Sequence, residues 1–313
     1  MCYDGRNHIP RAASTPIMSG KASDDERWGP PWTVLKLLEW STEFFEDRGL
    51  DSARLDAELM LAYTLGIDRV QLYVKFDQPL TPDELSTYRS YVKRRAAHEP
   101  VAYITGTRGF WTIDVRCDAR ALVPRPETEV LVECALDRIA EDAEITIVDV
   151  ATGMGAVALA IASERSDVHL LATDVSSDAL ALAAENVEAL DLSERIELFE
   201  GDLLEAVAPQ RFPVDMIVAN PPYVAESVRD ELMPDVRDYE PAGALFAGED
   251  GLDVIRRLVG QAHDRLIPGG WFLCEIGHDQ GDVVRQLFEE AGFGEVYVRR
   301  DYGDRDRVVL GQA

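Results

Sequence analysis

The stretch "VANPPYV", Val218 to Val224, ends a hydrophobic run with an asparagine, two prolines and a tyrosine. Pro221 has a carbonyl but no N–H, and the Asn220 side chain adds a second acceptor beside it. Two acceptors with no competing donor between them form a clamp for an –NH2 group. Tyr223 adds a flat face for the planar group that bears it. Asn220, Pro221 and Tyr223 therefore read as a holder of planar amides or amines, and as the residues that carry the chemistry. The alternative is a plain turn, because prolines end strands in many proteins.

Acids close three other hydrophobic runs. "ITIVDV" ends at Asp149 and Val150, and the loop Ala151, Thr152, Gly153, Met154, Gly155 leads into a helix of small residues. Its glycines let backbone approach a ligand closely, and a helix start offers free N–H groups to a carboxylate or phosphate. "HLLATD" ends at Asp174, twenty-five residues after Asp149. An acid at that distance can take both hydroxyls of a ribose. "RIELFEG" is followed by Asp202 and Leu203, an edge and a face for an adenine. Each has a simpler reading: a β-to-α turn, an N-cap for the helix near Ser176, and a turn residue. Taken together they point to a nucleoside site.

These residues need a frame that brings strand ends together. After residue 120, apolar strands alternate with helical stretches, Ala156 to Glu164, Ser177 to Leu190, Leu252 to Leu266 and Gly281 to Ala291. Such alternation predicts an α/β fold with a doubly wound, mostly parallel seven-stranded sheet (residues 121–313). The last two runs, joined through "DYGDRD", predict an antiparallel final strand. Ligands of such sheets sit at the carboxyl ends of the strands, where all these polar residues fall. Residues 32–98 form a small helical domain: Val34, Leu37, Leu38, Phe44 and Phe45 share a face, and Thr81, Pro82 and Glu84 form a helix start. Residues 99–120, aromatic, β-branched and rich in glycine, predict a linking β-hairpin. Residues 1–31 read as a disordered extension, with Met18 as an alternative start.

Composition narrows the function. Apolar residues make up 46% of the 313, enough for a large core, yet no run is long enough to cross a bilayer. The four cysteines are scattered without a C-x-x-C pair, which fits a reduced cytoplasmic protein with no disulfide and no metal site. There are 58 acidic and 31 basic residues, for a net charge of −27. A surface so acidic repels phosphate backbones, which argues against direct nucleic-acid binding.

The chain resembles class I S-adenosylmethionine-dependent methyltransferases, and more narrowly the PrmC/HemK family of peptide-chain-release-factor glutamine N5-methyltransferases. Four stretches carry the likeness: "RLDAELMLAYTLG", "EPVAYITGTRGFW", "LVPRPETEVLVE" and "VANPPYV…EPAGALFAGEDGLD". The resemblance implies that Ala151 to Gly155 bind S-adenosylmethionine, Asp174 its ribose, and Asp202 and Leu203 its adenine, with Asn220 beside it. It implies that Asn220, Pro221, Pro222 and Tyr223 hold a substrate glutamine. Arg125, Glu127 and Glu129 would line the mouth that admits the Gly-Gly-Gln loop of a release factor. It also implies S-adenosylhomocysteine as product, a release factor as partner, and a monomer. Two positions depart from the pattern: Ala151 stands where glycine is usual, and Leu203 where an aromatic is frequent. Rival readings are a methyltransferase for a ribosomal-protein glutamine or for an exocyclic amine of DNA or RNA. A scaffold that has lost its cofactor is a third. A dehydrogenase would need G-x-G-x-x-G, which "ATGMGAVA" does not supply.

Lysine occurs four times, so arginine supplies the other 27 basic residues. Acid excess along the whole chain fits a protein that works in salt, where screening removes self-repulsion. Its melting temperature is expected to rise with added salt; a salt-independent value would count against this.

Overall fold

The computed structural model describes residues 29–140 and 143–313, and the chain divides into two compact units, up to Ile104 and from Thr105 onward. The expected extension, residues 1–31, lies almost wholly outside the described residues. Among the described residues no helix is long and apolar enough to cross a membrane.

The first unit is helical: α1 (Val34–Glu46), α2 (Ala53–Leu65), α3 (Arg69–Val74) and α4 (Pro82–Arg95). Thr33 caps α1, and Thr81 and Glu84 close a reciprocal capping box at the start of α4. Val34, Leu37, Leu38, Phe45, Met60, Leu61, Tyr88 and Val92 are fully buried and form its core. Gly66 ends α2 in the left-handed conformation, the role expected of a glycine there. The motif "RLDAEL" is structural. Asp56 and Arg95 are both buried and pair at 2.7 Å, and Arg95 also donates to the carbonyl of Glu99.

A short helix, α5 (Val101–Thr105), stands where the linking hairpin was expected to begin. The strands are confined to β1 (Thr107–Phe110) and β2 (Ile113–Arg116), paired antiparallel. Pro100 favours this because it suits the start of a helix better than the interior of a strand.

The second unit carries the sheet. Its strands are β3 (Ile145–Val150), β4 (Val168–Asp174), β5 (Ile196–Glu200), β6 (Val214–Ala219), β7 (Leu266–Glu275), β8 (Gly294–Arg300) and β9 (Asp306–Gln312). Their order is β5-β4-β3-β6-β7-β9-β8. Strands β3 to β7 pair in parallel, while β9 runs antiparallel to both β7 and β8. The helices of this unit are α6 (Glu129–Leu136), α7 (Ala156–Glu164), α8 (Ser177–Ala189), α9 (Pro234–Tyr239), α10 (Asp253–Ala262) and α11 (Gly281–Glu290). This is the doubly wound, mostly parallel sheet that the alternating pattern predicts. The order reverses between β3 and β6, so the chain leaves these neighbouring strands in opposite directions and opens a crevice at their carboxyl ends.

Removing one partner of a buried ion pair leaves the other charge uncompensated. Asp56→Ala is therefore expected to destabilise the helical unit by about 3–5 kcal/mol. Loss of hydrogen-exchange protection in α2 and α4 measures it; unchanged protection would mean that the pair contributes nothing.

Candidate active site

The crevice is a cavity of about 560 Å³. Its wall includes Ala151, Thr152, Gly153, Met154, Asp174, Asp202, Leu203, Arg125, Asn220 and Pro222.

Two carboxylates hold the loop after β3. Asp149, 1% exposed, accepts from the Thr152 hydroxyl at 2.6 Å and from the Ala158 N–H at 3.2 Å. Burial pushes its carboxyl up to about 7, against the pull of these two donors. Asp174 accepts from the backbone N–H groups of Gly153 at 2.8 Å and Ser176 at 2.9 Å. Burial raises this carboxyl too, and the backbone donors oppose the rise. So Asp174 has a second task that the sequence reading did not assign: it pins the loop while lining the cavity. Ala151 has φ +58°, so the departure from glycine falls where a side chain is strained.

After β5, Asp202 is exposed and forms an ion pair with Arg257 of α10. Leu203 is buried, with φ +51°. Val175, next to Asp174, is 74% exposed and also lines the cavity.

At the end of β6, the Asn220 amide nitrogen donates to the Thr128 hydroxyl at 3.1 Å. Its oxygen, and the Pro221 carbonyl, accept no hydrogen bond from any described residue. The following backbone is fixed from several sides. Gln280 donates to the Tyr223 carbonyl at 3.0 Å, and Val224 pairs with Leu245 and Ala247. Gly251, at φ +76°, packs so closely that a Cβ there would sit 2.3 Å from the Tyr223 carbonyl oxygen. That contact explains the second glycine in "GEDGLD".

The chain is 41% identical over 281 residues to the release factor glutamine methyltransferase of Geobacter sulfurreducens, covering 90% of this chain and 97% of that protein. It belongs to that family. Identity to the release factor glutamine methyltransferase of Xylella fastidiosa is 44% over 278 residues, with 89% of this chain and 97% of that protein covered. Residues 36–106 match the PrmC N-terminal domain, and residues 126–235 the methyltransferase small domain. A solved METTL16 methyltransferase domain shares the fold, with a TM-score of 0.51 at 19% identity, over 70% of this chain and 79% of that one.

Several expected site residues stand elsewhere. Tyr223, Pro221, Gly155, Glu127 and Glu129 are absent from the cavity wall. Tyr223 is partly buried against the core; its hydroxyl donates to Glu275 at 3.1 Å, and burial pushes its proton affinity up. Glu129 accepts from the Trp111 N–H at 3.0 Å and so braces the turn of the hairpin. Glu127 is exposed outside the cavity. Arg125 does line the cavity, but its charge is met by Glu240 at 2.6 Å, whose side chain is 1% exposed. Glu240, Thr128, Glu275 and Gln280 were missed in sequence reasoning. For Glu240 the signal was its place in "EPAGALF", inside a stretch that already carried the family likeness.

Relieving αL strain at residue 151 gains roughly 1–2 kcal/mol, and glycine returns about 0.4–1 kcal/mol of that through its freer unfolded chain. Ala151→Gly is thus expected to stabilise the second unit by about 0.5–1 kcal/mol, seen as a higher urea midpoint at unchanged slope. A lower midpoint would show that the loop holds alanine without strain.

Proposed function

We propose that this protein transfers the methyl group of S-adenosylmethionine to the side-chain amide nitrogen (N5) of the glutamine in the Gly-Gly-Gln motif of peptide chain release factors. The observation that carries this reading is the unengaged amide oxygen of Asn220, a residue that lines a nucleoside-sized cavity, next in the chain to a Pro221 carbonyl that also accepts no hydrogen bond from the described residues. The family supplies the substrate: relatives that this chain matches nearly end to end are named for release factor glutamine.

The cavity suits the methyl donor. At about 560 Å³ it is within the range of small-molecule sites. Asp174 reaches it with lone pairs left for ribose hydroxyls, and Val175 and Leu203 offer apolar faces to an adenine. The loop Ala151 to Met154 provides close backbone. Bound there, S-adenosylmethionine supplies a methyl group activated by its sulfonium charge.

The protein's own task is aim. A glutamine nitrogen is a weak nucleophile because its lone pair is delocalised into the carbonyl. Accepting both of its N–H bonds, at Asn220 Oδ1 and Pro221 O, orients the lone pair and returns electron density to nitrogen. Positive charge builds on that nitrogen during transfer, so the acceptors hold the transition state better than the ground state. Positioning adds to this; as the N–C bond forms, the electron pair of the broken S–C bond stays on sulfur, leaving S-adenosylhomocysteine, and the extra proton on nitrogen passes to water, so a nearby base is not required. Arg125, tied to Glu240, and Pro222 shape the mouth.

An amine of DNA or RNA is the weaker candidate, because a net charge of −27 opposes approach of a polyanion.

Labelled S-adenosylmethionine incubated with a release factor is expected to label it only when the Gly-Gly-Gln glutamine is present. Label that survives replacement of this glutamine would overturn the substrate assignment. Asn220→Ala is expected to lose at least ~10²-fold in turnover while calorimetry still finds cofactor binding. Unchanged turnover would remove the clamp.

A further inference from the structure

Beneath the acceptor pair lies a carboxylate that the mechanism above does not use. Glu275 closes β7, and its neighbour Cys274 pairs with Ala219, the residue before Asn220. The side chain is in the interior, 1% exposed. Its Oε1 accepts from the Tyr223 hydroxyl, whereas Oε2 is buried with no hydrogen-bond partner among the described residues. An orphaned buried carboxylate oxygen is costly and calls for a reason.

Thr128 supplies one. It is 3% exposed, and its hydroxyl oxygen already accepts the Asn220 amide N–H. A hydroxyl can accept and donate at once. With its lone pair occupied, the Thr128 proton is available to Glu275, and the Thr128 hydroxyl is among the groups that favour the ionised form of that carboxyl. A Thr128 O–H turned to the orphaned Oε2 completes a chain of donors that runs one way: Asn220 N–H to Thr128, Thr128 O–H to Glu275. Only in this direction does Asn220 turn its oxygen outward. If Thr128 instead donated to Asn220 Oδ1, the amide would present its own –NH2 to the substrate –NH2, donor against donor.

We propose that Glu275 is a positioning residue, which sets the polarity of the Asn220 amide through Thr128 and holds the same loop through Tyr223. The inference rests on the reading of Asn220 as an acceptor for the substrate amide.

Ionisation of Glu275 is what drives the polarity. Burial pushes its carboxyl up to about 7, against Thr128, Arg307 of β9 and Tyr223; Glu127 pushes the same way as burial. The adjacent Cys274 thiol is raised by burial and stays neutral. Above this range the carboxylate keeps the Tyr223 hydroxyl and has a free oxygen to take that of Thr128. Below it the acid becomes a donor, Thr128 can reverse, and Asn220 with it. Activity therefore falls as pH drops through 7.

Asp149 is also raised to about 7, so an inflection in the native enzyme alone does not identify Glu275. The Glu275→Gln variant does. It is expected to keep its KM for S-adenosylmethionine, to lose about 10–100-fold in kcat, and to lose the Glu275 part of the inflection near pH 7. Thr128→Val should show the same kcat loss, and Thr128→Ser should restore activity; this pair also serves if Glu275→Gln does not fold. The inference is overturned if Asn220→Ala is inactive while Glu275→Gln and Thr128→Val turn over with the native rate and pH profile. Unchanged turnover in Asn220→Ala would instead overturn the clamp itself.

Discussion

The site depends on where hydrogen bonds are withheld. At the end of β6 the chain places two acceptors, the Asn220 amide oxygen and the Pro221 carbonyl, and gives neither a donor among the described residues. Pro221 and Pro222 remove two backbone N–H groups from the neighbourhood, so the segment cannot quench its own carbonyls by local turns. Unmet acceptors on a buried Pro221 and a partly buried Asn220 are a standing cost that the rest of the structure must hold in place. The surrounding contacts do this. Gln280 takes the Tyr223 carbonyl, the backbone of Leu245 and Ala247 takes Val224, and Gly251 lets the next loop close over them.

The cofactor side follows a complementary logic. There the carboxylates are already engaged by donors of the chain itself. Asp149 and Asp174 each accept two hydrogen bonds from the loop or helix start that they hold, so the loop is fixed before any ligand arrives. Such preorganisation means that cofactor binding need not order the loop. It also accounts for the strained Ala151 between them: a residue at φ +58° persists because contacts on both sides over-determine it.

Much of this was legible in the sequence. Strand and helix periodicity gave the sheet, its antiparallel end and the position of the crevice, because burial on two faces leaves a plain apolar signature. The acids at the strand ends and the Asn-Pro-Pro run were legible for the same reason: a polar residue closing an apolar strand is conspicuous. What failed was the second layer. Glu275 reads as an unremarkable acid after "WFLC", and Thr128 as a helix-start residue in "PRPETE". Nothing in their local pattern states that β7 lies next to β6 or that α6 starts against the Asn220 amide. Tyr223 shows a different limit: the sequence suggests a use for its ring, whereas its hydroxyl has a buried partner 52 residues away. Sequence spacing reports which face a side chain takes, but not which end of it is used.

The arginines around the cavity complete the argument about substrate class. Arg120, Arg125 and Arg257 all line it, which in isolation would suggest a phosphate site. Yet Arg120 is held by Asp118 and Glu185, Arg125 by Glu240, and Arg257 by Asp202. Each guanidinium is matched by at least one carboxylate, so the rim offers geometry without net positive charge. A polyanion would gain little counterion release on binding such a rim and would meet an acidic surface beyond it. A neutral carboxamide on a protein loop meets neither obstacle. For that substrate, on the function proposed above, hydrogen-bonding rather than charge sets the discrimination, as expected where two acceptors would be left unpaired on any ligand lacking an –NH2.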